Sequence, residues 1–170
     1  MAEYLIVDGY NVINSWKEFS KLRKESYEHC RELLVAGIAE YAAFKGQRAI
    51  VVFDAMEVVG PAAVEQLHGI EVVYSGEDET ADSWIERKTY ELCKQKEKVF
   101  VVTSDYAEQI NVLGAGAYRI SSREFHEEYM KAKKEIASRL KIPNRALNRN
   151  ELGGRIKGDV LEYLEKLRRL

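Results

Sequence analysis

Ala49-Ile50-Val51-Val52-Phe53-Asp54 is the most strand-like stretch of the chain: five apolar residues in a row, three of them β-branched, closed by a carboxylate. A run that is apolar on consecutive positions, rather than alternate ones, predicts a strand covered on both faces. Working outward, three more runs share its character. Tyr4-Leu5-Ile6-Val7 precedes Asp8-Gly9. Ile70-Glu71-Val72-Val73-Tyr74 precedes an acidic stretch. Val99-Phe100-Val101-Val102 precedes Thr103-Ser104-Asp105. A short edge strand is expected at Tyr118-Arg119-Ile120, after the turn marked by Gly114 and Gly116.

Helical patterns fill the intervals. Ser26 is a plausible N-cap for a helix to about Phe44, with Tyr27, Cys30, Leu34, Ile38 and Tyr41 on one stripe and Gly46 as its stop. A second helix is predicted from about Thr80 to Lys94, and a short one from Tyr106 to Leu113. Ser121-Ser122-Arg123-Glu124 reads as a capping box, with Ser121 as cap. The helix it opens has Phe125, Tyr129, Ala132, Ile136 and Leu140 on one face, and Pro143 is expected to end it. Asn144 to Gly154 reads as a polar linker, followed by a helix with Ile156, Val160, Leu164 and Leu167 on one side.

Buried strands alternating with helices imply an α/β fold, a three-layer sandwich around a parallel sheet with right-handed crossovers. The five strands are expected in the order 3-2-1-4-5, with the first in the centre. Residues 1–140 form the body, and 141–170 a linker and C-terminal helix.

Composition narrows the classes of function. The chain has 170 residues, 46% hydrophobic and 32% charged, with two Pro. Such a composition folds, so disorder throughout is excluded. Two cysteines, Cys30 and Cys93, are not expected to form a disulfide framework or a four-ligand zinc site. The longest apolar stretch, Leu33 to Ala39, is far short of the ~20 residues of a membrane span. The opening MAEYLIVDGYN has no basic region, so no signal peptide and a cytoplasmic setting are expected. Charge is unevenly spread: residues 131–170 hold twelve Lys and Arg against five Asp and Glu, residues 1–130 fourteen against twenty-three. A basic tail on an acidic body suits a polyanionic partner, or is simply a solvated helix.

The acids carry the chemistry. Asp8, Asp54 and Asp105 each follow a strand, and Asp82 falls in the first turn of the helix after the third strand. In a parallel sheet these positions share the edge at the strands' carboxyl ends, where ligands bind at the reversal of strand order. Each has a local alternative: Asp8-Gly9 as a turn, Asp54 as a strand end, Asp82 and Asp105 at helix starts. Four together would repel, and a hard dication, Mg²⁺ or Mn²⁺, removes that cost. Such an ion suits phosphodiester hydrolysis. Asp8, Asp82 and Asp105 are the candidate metal ligands, with Asp54 completing the catalytic set.

Around them, Asn11 can orient a metal-bound water or a phosphate. Thr103 and Ser104 can bond a phosphate oxygen, or cap their turn. Tyr10 can stack on a base, or pack. Glu79 can reach the metal, and Arg123 can contact substrate or pair with Glu127. His29, His68 and His126 lack ligand-like spacing and read as surface or packing residues.

At these residues the chain resembles a known family. Leu5-Ile6-Val7-Asp8-Gly9-Tyr10-Asn11 is similar to the opening motif of NYN domains, which are PIN-like nucleases. Val51-Val52-Phe53-Asp54-Ala55, Glu79-Thr80-Ala81-Asp82 and Val102-Thr103-Ser104-Asp105-Tyr106 are similar to its later motifs in order and spacing, and Ser121-Ser122-Arg123-Glu124 resembles the start of the family's final domain helix. The resemblance is to the YacP-like branch found in Firmicutes, and it covers residues 1 to about 140 well. It implies a metal-dependent endoribonuclease that associates with the ribosome and cuts messenger RNA in the A site. Its acidic positions carry over to Asp8, Asp54, Asp82 and Asp105. The alternative is a non-catalytic RNA- or ribosome-binding module that works through the tail. A haloacid-dehalogenase-type phosphatase would need an acid where Tyr10 stands, and a phospho-receiver a Lys near Arg119. Monomer and dimer are both compatible with the sequence.

Overall fold

The computed structural model describes residues 1–55 and 63–147. Strand β1 (Glu3–Asp8) lies in the middle of the sheet, between β2 (Arg48–Phe53) and the strand Lys98–Val102. All three are parallel. Beyond β2 comes Ile70–Tyr74, and beyond Lys98–Val102 comes Tyr118–Ile120, again parallel. These are the five expected strands, in the expected order.

A sixth strand was not foreseen. Ala63–Leu67 (β3) pairs antiparallel with Ile70–Tyr74 (β4) at the edge, so with Lys98–Val102 as β5 and Tyr118–Ile120 as β6 the sheet reads β3-β4-β2-β1-β5-β6. Every residue of β3 is exposed, so it has no apolar signature in sequence. His68 and Gly69 join it to β4, with φ of 52° and 84°. Positive φ at both central residues is the two-residue hairpin turn that matches strand twist.

Along β1 and β2 successive side chains face opposite cores. Leu5, Val7, Val51 and Phe53 pack under α1 (Gly9–Ser15), α3 (Tyr27–Lys45) and α6 (Ser122–Leu147). Ile6, Ile50, Val52 and Val101 pack under α4 (Ala81–Lys94) and α5 (Tyr106–Ala115). The short α2 (Leu22–Glu25) and a 3₁₀ turn at Lys17–Phe19 lead into α3. Trp16 closes the first core: it packs on Phe19, Phe125 and Tyr129, and its indole N–H donates to the Ser122 carbonyl at 2.9 Å.

Most helix ends follow their expected chemistry; one capping box forms only in half, and one end departs outright. Ser26 Oγ accepts from the His29 N–H at 3.1 Å, and Gly46 closes α3 in the left-handed conformation. Ser121 Oγ accepts from the Glu124 N–H at 3.1 Å, but the Glu124 carboxylate pairs with Arg119 at 3.9 Å rather than reaching back. The exception is Pro143: α6 continues through it to Leu147, so the start of the expected linker is helical. A proline removes one N–H from the helix interior and leaves the bonds of the flanking turns in place. The helix expected between Ile156 and Leu167 lies outside the described residues.

Helix α1 also departs from expectation. Asp8-Gly9 is the start of a helix rather than a turn. Gly9 is required there by proximity: a Cβ would stand 2.3 Å from the Phe53 ring. Gly9→Ala should therefore cost about 1–3 kcal/mol by overpacking. A denaturant midpoint shifted down without a change in slope is the measurement that checks it.

Candidate acidic active site

The fold carries the four acids to the carboxyl edge of the sheet. Asp8 ends β1 and caps α1, accepting from the Asn11 N–H at 3.5 Å, and is 9% exposed. Asp54 follows β2. Its Oδ1 accepts from Ser75 Oγ at 3.3 Å, and the same Ser75 oxygen accepts from the Ala55 N–H at 2.9 Å. Asp82 lies exposed in the first turn of α4, where Thr80 and not the acid is the cap. Asp105 follows β5. Its N–H donates to Thr103 Oγ1 at 3.1 Å, and its carbonyl accepts from the Gln109 N–H at 2.9 Å in the first turn of α5.

Electrostatics tie these groups together. The Asp8 carboxyl is pushed up to about 7, first by burial and then by the negative charges of Asp82, Asp105 and Asp54. The Asn11 N–H pulls the other way without compensating. Three anions from three other segments thus act on one buried carboxylate. All the donors are hard oxygens, the type Mg²⁺ and Mn²⁺ prefer. Among the described residues, however, no three His, Cys, Asp or Glu side chains form a group that could hold an ion directly. A cation here would be held by one or two of the carboxylates, with the others bonding its waters, rather than in a closed cage.

The smaller polar residues sort into two groups. Asn11 and Ser104 belong to a network at the mouth. Asn11 Oδ1 accepts from Ser122 Oγ at 2.5 Å and from the Ser104 N–H at 3.1 Å, and Ser104 Oγ accepts from the Ser122 N–H at 3.1 Å. Thr103 is different. It is fully buried, so its hydroxyl orients the Asp105 backbone and does not meet a substrate. Tyr10 is likewise a packing residue here: Phe53 and Tyr27 rings stand at 5.1 and 5.9 Å from it, and its hydroxyl accepts from Arg31 at 2.9 Å. Glu79 is turned to Arg87 by two bonds of 3.0 and 3.1 Å, which commits its carboxylate to an ion pair. Arg123 is exposed in the first turn of α6. His126 packs edge-on against Trp16 and meets Glu18 at 2.7 Å, the packing role expected of it.

Sequence reasoning missed Ser75 and Ser122. Ser75 follows an acid-free strand end and has no local pattern to mark it. Ser122 was visible only as part of a capping motif, one position after the residue that caps.

Comparisons with known proteins place the chain in a family. A sequence profile of the YacP-like NYN domain matches residues 5–169. A protein of Bacillus subtilis (strain 168), described as the uncharacterized protein YacP, is 37% identical over 169 residues, which is 98% of this chain and 97% of that one. The crystal structure of Rae1 (YacP) from Bacillus subtilis superposes with a TM-score of 0.77 at 35% identity, covering 98% and 94% of the two chains. A point mutant of the same protein gives 0.72 at 36%, covering 98% and 95%. Among the described residues no helix is long and apolar enough to cross a membrane.

Proposed function

Because this chain belongs to the YacP-like NYN domain family, we propose that it is a metal-dependent endoribonuclease which cleaves messenger RNA in the A site of the translating ribosome. The observation that carries the reading is the buried Asp8 carboxylate, set among three other acids at the strand ends. A fold gains nothing from such crowding, whereas a phosphodiesterase needs it. Mg²⁺ or Mn²⁺, when bound, lowers the pKa of a water and offsets charge on the phosphoryl group.

The chain's own residues do the rest. Asp8, Asp82 and Asp105 hold the cation or its waters, and Asp54, anchored by Ser75, adds to the negative field. Asn11 and Ser104 orient the phosphate, and Arg123 stands ready for the strand beside it. Exposed Lys131 and Lys134 on α6 begin the basic tail, which engages RNA, of the message or of the ribosome. The ribosome enters this reading through the family resemblance alone, and with it a cytoplasmic setting.

The test maps new RNA ends after incubating translating and free messenger RNA with the protein, with and without Mn²⁺. Cuts are expected on the translated message, in register with the A site, and only with metal. Cleavage that survives chelation would remove the mechanism. Equal cutting of free RNA would remove the ribosome and keep the nuclease. Binding that is strongly salt-dependent, with no new ends, would favour the non-catalytic module.

A further inference from the structure

We propose that Ser122 converts Asn11 and Ser104 into a pair of uncharged donors that grip a non-bridging oxygen of the substrate phosphate; this deepens the nuclease reading and rests on it. The argument is one of donors and acceptors. The Asn11 Oδ1 can only accept, so the Ser122 hydroxyl must donate to it, as the Ser104 N–H also does. Two donors on one oxygen fix which way the amide lies, because the flipped amide would set N–H against N–H. The Nδ2 group then holds the remaining hydrogen-bonding capacity of Asn11, and that capacity is purely donating. Ser104 is in the same position. Its Oγ accepts from the Ser122 N–H, which leaves its own proton to donate.

Ser122 is fully buried and bridges three segments: α1 through Asn11, the end of β5 through Ser104, and α6 by its own backbone. Its side chain touches no solvent: the hydroxyl acts through Asn11, and the backbone N–H makes the link to Ser104. Asn11 is three residues beyond Asp8, and Ser104 immediately precedes Asp105. The two donors therefore stand beside two of the acids. A mouth built of carboxylates repels a phosphate, and neutral donors are the groups there that attract one without neutralising the acids. Ser122 is a positioning residue in this scheme, and Asn11 and Ser104 are the contacts.

The test is a double-mutant cycle on binding, measured by fluorescence anisotropy of the full-length protein with a short oligoribonucleotide in chelator, where the metal-dependent reaction does not run. Asn11→Ala should weaken binding by about tenfold, the scale of a hydrogen bond to a charged group. Ser122→Ala should weaken it by about fivefold in the wild-type background and by nothing further in the Asn11→Ala background. Because the lost donors are neutral, the dependence of affinity on salt should keep its slope.

Equal losses from Ser122→Ala in both backgrounds would overturn the proposal, as would a changed salt slope or a wild type that does not bind. Asn11→Asp guards against a folding artefact. It keeps the oxygen that Ser122 and Ser104 bond and replaces the donating end with an anion. It should bind at least as poorly as Asn11→Ala, and binding at the wild-type level would overturn the scheme. A wild type that binds the oligomer but never cuts ordinary RNA would remove the nuclease reading while the cycle still decides this one.

Discussion

Asp82→Asn should lower RNA cleavage by about a thousandfold or more while the protein stays folded, because the residue contributes charge to the site and little to the scaffold. Its side chain is exposed, and Thr80 supplies the cap of α4 through the Ser83 N–H at 3.1 Å. Losing the acid from the first turn weakens the helix by only about 0.3–1 kcal/mol, through the macrodipole. The charge it places on Asp8 is also lost, which partly offsets that cost. Cleavage rates from mapped ends, read beside a thermal melt, give the two halves of the result. A variant that cuts at the wild-type rate, or one that does not fold, would show that the acid serves the scaffold and not the reaction.

Asp8→Asn should make the metal-free protein more stable at pH 8, by about 10 °C in Tm, and the gain should vanish as the pH is lowered toward 4. The sign follows from proton binding. The folded-state carboxyl is raised to about 7 from an ordinary 3.8, so between those values the folded protein holds a proton that the unfolded chain has released. Wild-type stability is therefore full below about pH 4, declines as pH rises, and levels off above about 7. Over the whole interval the loss is on the order of 4 kcal/mol. At about 2–4 °C per kcal/mol for a chain of this size, that is the shift expected. Asparagine caps a helix as well as aspartate does, so the bond to the Asn11 N–H survives the change. Melts of both proteins in chelator from pH 4 to pH 8 provide the check. Parallel pH profiles would mean that Asp8 is not strained by its neighbours. Added Mn²⁺ should raise the wild type more than the variant, since mass action stabilises the form that binds.

The acids and the sheet were legible for the same reason. A parallel strand buried on both faces must be apolar at every position, so each strand stands out, and its end is marked by the first residue that cannot be buried. Asp54 is that residue after β2, Asp105 comes one position later, beyond exposed Ser104, at the end of β5, and Asp8 is the acid at the mouth of the central strand. Once the strands are found, right-handed crossovers leave few orders for them, and the carboxylates fall on one edge without further information.

Other features had no such mark. Strand β3 is exposed along its length, so nothing in Ala63-Val64-Glu65-Gln66-Leu67 separates it from a loop until β4 offers it an edge. Tyr10 and Thr103 stand in the right motifs, yet Arg31 and Phe53 occupy one and complete burial removes the other. Glu79 is beside Asp82 in sequence, but Arg87 turns it away.

Local pattern, with the handedness of crossovers, therefore determined the layers, the order of the five parallel strands and the gathering of Asp8, Asp54, Asp82 and Asp105 at one edge, because burial and periodicity are written into each segment separately. Which polar neighbours are free to act was decided by packing between segments distant in the chain. Ser122 lies 111 residues from Asn11, and no spacing rule links them. Their hydrogen bond exists because α6 and α1 pack on the same face of the sheet, which brings the buried Ser122 hydroxyl to the Asn11 amide oxygen.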